Sequence, residues 1–585
     1  MKRTHYCGDL RAVNIGERVT LCGWVWHWRD HGGVVFIDLR DRTGHSQLVF
    51  DPQLNEELHK RAHQLRSEFV IGISGKVRMR PEGTINPDMP TGEIEIVVDQ
   101  MTLFSEAETP PFPIDEHVDV GEETRLKYRY LDIRRSTMRD NLLFRSRCSQ
   151  VVRNYFSNEN FIEIETPILS KSTPEGARDF LVPSRISPGD FFALPQSPQI
   201  YKQLCMVAGL DRYIQIVRCF RDEDQRADRQ PEFTQIDVEM SFITPEDLYE
   251  VMEGLMAAIW KEMKGVELTP PFPRMPYSEA MERYGIDRPD IRFEMELKDI
   301  GAIAGESEFK VFRSVIERGG KVSGICVKGG ASFSRKEIDD MTAEAAIYGA
   351  KGLAWMKYSE KGLESNIVKF FSEDQQKALI EKFTAAPGDL LLFVADEPEV
   401  VYASLAHLRL QLGTKLNLFD PQEDRFLWIV DWPLFEKDEN GNPTPSHHPF
   451  TMPRPEDLEY LESDPFRVHA QAYDLVLNGI EIGGGSIRIH RRDIQSRLFK
   501  ALGIDEETAQ VKFGFLMDAF RYGAPPHGGI ALGYDRLVML LLGAPNIREI
   551  IAFPKNQRAQ AVMESAPSPV DENQLRELGV RLRKK

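Results

Sequence analysis

Between residues 220 and 242 the chain reads FRDEDQRADRQPEFTQIDVEMSF, which packs three arginines and seven carboxylates into twenty-three positions and ends in a strict alternation of apolar and polar side chains. Thr234, Ile236, Val238, Met240 and Phe242 share one face of a period-two element, and Phe233, Gln235, Asp237 and Glu239 share the other, which is the pattern of a strand. The apolar face demands a core. The opposite face carries an aromatic, an amide and two acids, so it is either an ordinary solvated sheet face or the wall of a polar binding site. The preceding RYIQIVRCF also reads as a strand, which makes residues 221–232 a long charged hairpin loop, a kind that is usually either functional or disordered.

A chain of 585 residues is too long for one core, and three or four domains are expected. Six cysteines form no CxxC pair and no regular spacing, which argues against a zinc site or a disulfide framework and for a reducing, cytoplasmic setting. The first residues, MKRTHYCGDL, lack the apolar core of a signal peptide, and the longest apolar runs, such as LVMLLLGA, are far short of a membrane span. The net charge of −18 opposes binding of a polyanion, but the charge is unevenly spread. Residues 125–147 hold eight basic residues against two acids, which fits a phosphate-contacting patch and an exposed helical face equally well.

Residues 1–108 give five short strands with a helical stretch between the third and fourth, the order of an OB-fold barrel. Phe36 and Gln47, with Arg29 nearby, fall where single-stranded nucleic acid would lie on such a barrel, although Phe36 suits the core as well. A proline-rich hinge covers 109–137. Strands and helices alternate over 138–285 and again over 416–556, separated by a segment at 286–415 with its own helices and strands, and a C-terminal extension covers 557–585. The expected architecture is therefore α+β and multidomain: an OB-fold, a catalytic domain in two parts and an inserted α/β domain.

Three separated segments carry the most information. They are FIEIETPIL at 161–169, the 220–242 stretch with its Arg221-Asp222-Glu223 triplet, and GGIALGYDRLVMLLLG at 528–543, a glycine-rich strand feeding a helix. The last is a poor dinucleotide fingerprint, because the GxGxxG order after a first strand is missing. Together the three resemble motifs one, two and three of the class II aminoacyl-tRNA synthetases. TPEGARDF, LPQSPQIYKQL, RADRQPEFTQIDVE and GGGSIRIH further resemble the bacterial-type aspartyl-tRNA synthetase family, insertion included.

That resemblance implies an antiparallel catalytic sheet, a homodimer joined through motif one, an OB-fold that reads the anticodon, and aspartate charging of tRNA with ATP and Mg²⁺. By the same resemblance Arg221 and Arg536 are catalytic, Arg221 bridging the substrate carboxylate and the α-phosphate and Arg536 holding the γ-phosphate. Asp222, Glu223, Gln230, Phe233, Glu481, Gly533, Tyr534 and Asp535 complete the implied ATP site, with Phe233 on the adenine, and Asp474 and Glu481 hold Mg²⁺. Glu175 and Asp237 with Gln199 take the aspartate ammonium, Ser197 also belongs to the implied aspartate site, and Lys202 and Arg488 take the side-chain carboxylate. His447 and His448, in SHHPF, match the loop that closes over the amino acid; an alternative metal pair lacks a third ligand nearby.

Arg29, Phe36 and Gln47 are the implied anticodon contacts. His31, in RDHGG, and Gly83, in RPEGT, resemble the relaxed type that charges tRNA-Asp and also tRNA-Asn, with an amidotransferase acting downstream. His31 beside two glycines also suits a tight hairpin. The alternatives are a strictly discriminating enzyme for tRNA-Asp, an asparaginyl or lysyl relative of the same architecture, and a non-catalytic RNA-binding protein that keeps the fold.

Overall fold

The computed structural model describes residues 1–173, 177–224 and 227–583. Two compact units are present: one comprises Met1–Arg145 with Arg548–Ser568, the other Ser146–Ile547 with Pro569–Lys585.

The first unit contains a closed five-stranded barrel in the order β1-β2-β3-β5-β4, made of β1 (Arg18–His31), β2 (Val34–Asp41), β3 (Gly44–Phe50), β4 (Val70–Met79) and β5 (Ile94–Ser105). Helix α1 (Glu56–Ala62) lies between β3 and β4, and the Asn55 side chain caps it by accepting from the Leu58 N–H. Alternate residues such as Val19, Leu21, Ile37, Leu39, Leu48, Ile71 and Ile96 fill the interior. Phe36 is not among them. It sits between Val35 and Ile37, both fully buried, and is itself only partly buried, which places its ring on the outer surface of the barrel. The β1-β2 turn is Gly32-Gly33, with φ of 62° and 81°, the pair of positive values that a two-residue hairpin turn requires.

Four of the eight cations in the basic run at 125–147, Arg125, Arg129, Arg134 and Arg135, are engaged inside the first unit, while Lys127 and Arg147 are exposed. Arg125 pairs with Asp132 and Glu549, at 2.9 and 2.8 Å. Arg129, 2% exposed, donates to the carbonyl oxygens of Arg548, Ile551 and Ala552 and to Asp132. Arg134 pairs with the buried Glu68, and Arg135 donates to the Val118 carbonyl. These cations therefore work as internal clasps, which satisfy carbonyls that would otherwise be buried without a donor.

The second unit is built on an eight-stranded sheet. Its order is Arg274–Pro276, Phe426–Val430, Ala472–Leu477, Ile480–Ile487, His527–Gly533, Glu232–Ser241, Arg212–Phe220 and Ile162–Glu163. The six inner strands are antiparallel, and only the two short edge strands pair in parallel. Of FIEIETPIL, only Ile162–Glu163 pairs as strand, and Ile162, Ile168 and Leu169 are exposed. The Glu232–Ser241 strand keeps the expected alternation, but Thr234 to Met240 is buried on both faces, so its polar face is enclosed and not solvated. Phe242 lies beyond the strand end, at φ 58° and 72% exposed.

Residues 286–415 carry a separate antiparallel sheet in the order Lys298–Asp299, Lys321–Val327, Leu390–Asp396, Ala354–Ser359 and Gly362–Glu364. It has a core on each face. Ile325, Leu390 and Leu392 pack on one side with the Pro398–Lys415 helix, and Val322, Leu391 and Phe393 pack on the other with Phe312 and Leu379.

Arg129→Met would leave three buried carbonyls without their donor and remove one of the counterions of the fully buried Asp132. A loss of about 3 kcal/mol is expected, seen as a lowered transition of the first unit in a calorimetric scan, whereas an exposed cation such as Lys127 should be replaceable at no measurable cost.

Candidate active site

The polar face of Glu232–Ser241 lies among the glycine-rich strands. Asp237 pairs in register with Ala531 and Glu239 with Gly529, while Gly484 faces Asp474. Two of these glycines are dictated by the acids. A Cβ on Gly529 would stand 2.1 Å from Glu239 Oε2, and one on Gly484 would stand 2.3 Å from Asp474 Oδ1. Gly484 and Gly529 are thus explained by carboxylates that occupy the space of side chains, whereas a Cβ on Gly485 would stand 2.0 Å from the Gly529 carbonyl oxygen.

At the centre is a buried set of four charges. Lys202 is 1% exposed and projects from the Gln199–Val207 helix to Asp237 at 2.9 Å and Glu239 at 3.4 Å. Arg488 reaches the same Glu239 through Nε at 3.1 Å and Nη2 at 3.4 Å, and donates to Ser486 Oγ at 2.8 Å. Burial pushes the Asp237 carboxyl above its ordinary value, with Lys202 pulling the other way. For Glu239 the same burial is outweighed by the charges of Arg488 and Lys202, and the carboxyl is held below its ordinary value.

Two cavities open along this sheet. One, of about 230 Å³, is lined by Arg221, Glu223, Gln230, Phe233, Gly533, Asp535 and Arg536, among others. The second, of about 460 Å³, is lined by Ser197, Gln199, Lys202, Asp237, His447, His448, Asp474 and Arg488, among others. Arg221, Gln235, Glu481 and Ala531 border both. The Arg221 guanidinium lies 5.2 Å from the Phe233 ring centroid, and Asp535 accepts from the Thr234 N–H at 2.7 Å, tying the helix Tyr534–Leu542 to the central strand.

Asp222 and Tyr534 do not join the cavities. Asp222 is exposed and lies 3.7 Å from Arg178, and the Tyr534 hydroxyl is 2.6 Å from Ser149 Oγ, buried behind the sheet. Glu175 lies outside the described residues, but the flanking Ala177 is pinned through both its N–H and its carbonyl by the buried Gln196 amide. Several buried polar atoms around the cavities have no hydrogen-bond partner among the described residues: Arg221 Nε, Arg536 Nε, Gln199 Nε2, Asp237 Oδ2 and His448 Nε2. Buried groups of this kind require a partner, and these point to a ligand that is both anionic and cationic.

Asp474 and Glu481 face the junction from adjacent strands. Burial and then the charge of Asp474 push the Glu481 carboxyl up to about 6. Two carboxylates that repel one another in a cavity suit a hard divalent cation whose other ligands come from elsewhere; among the described residues there is no group of three that could hold a metal by itself. The adjacent histidines differ. His447 lies 3.7 Å from Asp474, whose hydrogen bond and charge raise it above its ordinary value against the effect of burial. His448 is pushed down to about 3 by burial and by the charges of Arg488 and Lys202.

A family model described as tRNA synthetases class II (D, K and N) matches residues 121–557, and one described as OB-fold nucleic acid binding domain matches residues 19–104. The chain belongs to the class II tRNA synthetases of the D, K and N group. Among its relatives, an "Aspartate--tRNA(Asp/Asn) ligase" of Geotalea uraniireducens is 56% identical over 99% of this chain and 98% of its own length. Proteins of the same name from Heliobacterium modesticaldum and Geobacillus sp. are 54% and 56% identical, covering 100% and 98% of this chain and 96% and 97% of their own lengths. The fold is also that of asparaginyl-tRNA synthetase from Pyrococcus horikoshii, with TM-score 0.59 and 19% identity over 95% of this chain and 98% of that one. Aspartyl tRNA synthetase from Entamoeba histolytica gives TM-score 0.58 and 20% identity over 95% and 92%.

On the barrel, Arg29, Phe36 and Gln47 come together on one outer surface. Arg29 donates to Asp38 at 2.9 Å and to Gln47 Oε1 at 3.3 Å, and Gln47 Nε2 donates to Glu95 at 2.9 Å. The structure adds Asp38, Glu95 and Arg78, which donates to Glu95 at 2.8 Å. Glu95 was not legible from local spacing, because it is nearly fully buried on a strand whose pairing with β3 is non-local. Glu239 was likewise legible as a polar-face residue but not as the counterion of Arg488. His31 is at the exposed end of β1, and Gly83 takes φ 81° in the loop before β5.

The depressed His448 makes a prediction about acid stability. The unfolded chain takes up this proton as pH falls through about 6.5, whereas the folded chain resists until about 3, so stability is lost as pH falls across that window. Between pH 8 and pH 5 the cost is up to about 2 kcal/mol. His448→Asn should lose that much less stability over the same interval in urea titrations; an equal loss in both proteins contradicts the assignment.

Proposed function

We propose that this enzyme is an aspartate–tRNA ligase that charges both tRNA-Asp and tRNA-Asn. The observation that carries the reading is the shared border of the two cavities at Arg221, Gln235, Glu481 and Ala531. Aspartate in the larger cavity and ATP in the smaller would meet there, the substrate carboxylate against the α-phosphorus.

The reaction brings two anions to bonding distance, so its geometry and charge must be fixed in advance. Arg221, at the junction, bridges the attacking carboxylate and the α-phosphate, and Arg536 takes the γ-phosphate. Phe233 stacks on adenine, with Glu223 and Gln230 on the nucleotide and Gly533 and Asp535 shaping its wall. Asp474 and Glu481 would hold Mg²⁺, which supplies charge neutralisation to the phosphates. An oxygen of the aspartate α-carboxylate attacks the α-phosphorus, pyrophosphate leaves, and the mixed anhydride of aspartate and AMP remains. The terminal ribose hydroxyl of the tRNA then attacks the anhydride carbonyl, AMP leaves, and its phosphate oxygen takes the proton.

Specificity follows from the buried charges. Asp237 and Gln199, with Ser197 and Glu175, serve the ammonium side, and Lys202 and Arg488 the side-chain carboxylate, as His447 and His448 close the cavity. Asparagine would leave these cations unmatched in a desolvated site, a mismatch that can reject an analogue by roughly 10⁴-fold. Arg29, Phe36 and Gln47 would meet the anticodon, as an aromatic and polar surface on a barrel of this type meets single-stranded bases. His31 on an open Gly-Gly hairpin and the positive-φ Gly83 support relaxed reading of tRNA-Asn. Aspartyl-tRNA-Asn must then be amidated by a downstream amidotransferase. A second copy of the chain would cover the exposed apolar residues Ile162, Ile168, Leu169, Leu181 and Phe191 of motif one and its neighbours. The setting is cytoplasmic.

Aminoacylation of separate tRNA-Asp and tRNA-Asn transcripts with aspartate tests this directly. Charging of both is expected; charging of tRNA-Asp alone would remove the dual specificity and keep the enzyme. Arg488→Lys, which replaces a planar fork by a point charge, should raise the aspartate KM by about 10²-fold in pyrophosphate exchange and leave the ATP KM within about twofold. A change confined to ATP would contradict the assignment of the two cavities.

A further inference from the structure

Arg536, the cation of the smaller cavity, already has an anion. Its Nη1 donates to the Glu481 carbonyl at 2.6 Å, and its Nη2 donates to Asp228 Oδ2 at 2.9 Å. Asp228 comes from the charged 221–231 loop, and both it and Arg536 line the cavity. The backbone around it is fixed on both sides: the Ile547 N–H donates to the Ala227 carbonyl at 3.1 Å, and the Arg221 N–H donates to the Pro231 carbonyl at 2.9 Å. In the same cavity Arg229 lies 3.3 Å from Glu223, so two arginines of the cavity face carboxylates of the 221–231 loop. The Asp228–Arg536 pair is partly enclosed, with side chains 31% and 20% exposed.

We infer that Asp228 is a stand-in for the terminal phosphate of ATP: it occupies the Arg536 guanidinium in the free enzyme and gives it up when the triphosphate enters. This rests on the reading of Arg536 as a phosphate-binding residue. The argument is one of charge. A triphosphate that takes the same Nη2 donor must displace the Asp228 carboxylate or lie against it, and an anion beside the γ-phosphate in a cavity of low dielectric weakens binding. In the free enzyme, however, Asp228 keeps a partly enclosed guanidinium neutralised and oriented, which reduces the cost of an uncompensated charge. The aspartate side chain is short and its loop is anchored at Ala227 and Pro231, so exchange needs only rotation about the Asp228 side-chain bonds. Asp228 thus serves the free state, and the Arg536 donor it releases serves the nucleotide-bound state.

The test is Asp228→Asn and Asp228→Ala in the full chain, read by ATP–pyrophosphate exchange. Removing the competing charge should lower the ATP KM by about three- to tenfold, in keeping with a partly screened ion pair. The aspartate KM and inhibition by adenosine, which has no phosphates, should not change, and the gain should shrink as ionic strength rises. An ATP KM that is unchanged, or one that rises, overturns the proposal; a rise relieved by added Mg²⁺ would make Asp228 a group that serves the metal. Arg536→Ala is run in parallel. If it leaves the ATP KM unaltered, the phosphate-site reading itself fails, a result distinct from failure of the Asp228 variants.

Discussion

The buried exchange of charge among Lys202, Asp237, Glu239 and Arg488 is the constraint on which the catalytic unit depends. Each of the four is nearly or fully enclosed, and each would be costly alone. Removing one partner from such a set typically costs about 3–5 kcal/mol, since it strands the others. The set also determines its surroundings. Glycine at 529 makes room for the Glu239 carboxylate, Ser486 takes an Arg488 donor, and the strand that carries Asp237 and Glu239 must be covered on both faces.

That arrangement couples stability to specificity. Two cations and two carboxylates give a nearly neutral interior that tolerates burial before substrate arrives, while Asp237 Oδ2 and Gln199 Nε2 remain without partners among the described residues. The neighbouring cavity follows the same logic, with Asp228 on Arg536. In both places the fold holds positive charge beside a cavity and keeps it compensated by its own acids. The depressed His448 belongs to the same field, because burial and then the charges of Arg488 and Lys202 hold its imidazole neutral.

Much of this was legible in the chain. The period-two pattern at 233–241, the charged loop before it and the glycine-rich strand at 528–533 marked the sheet and the site, and five short strands with one helix marked the barrel. Other features depended on non-local pairing. The basic run at 125–147 fitted a phosphate surface and an exposed helical face equally well, but Glu549 and the carbonyls at 548–552, more than 400 residues away, take up its Arg125 and Arg129. Phe242 continued the apolar alternation, yet the strand ends at Ser241 and the next residue takes a left-handed conformation. Asp222 and Tyr534 sat inside motifs whose other members line the cavities, and local backbone direction turned both away.

The sequence by itself determined which residues can form a strand, a turn or a charged loop, because those properties depend on neighbours two to four positions apart. It also determined the family, through three motifs that are individually weak and jointly specific. Only the tertiary structure decided which acid neutralises which base. The partners of Arg488, Arg536, Arg129 and Gln47 come from distant segments, and an ion pair is set by the distance and burial of two charges after folding, quantities that no local spacing encodes.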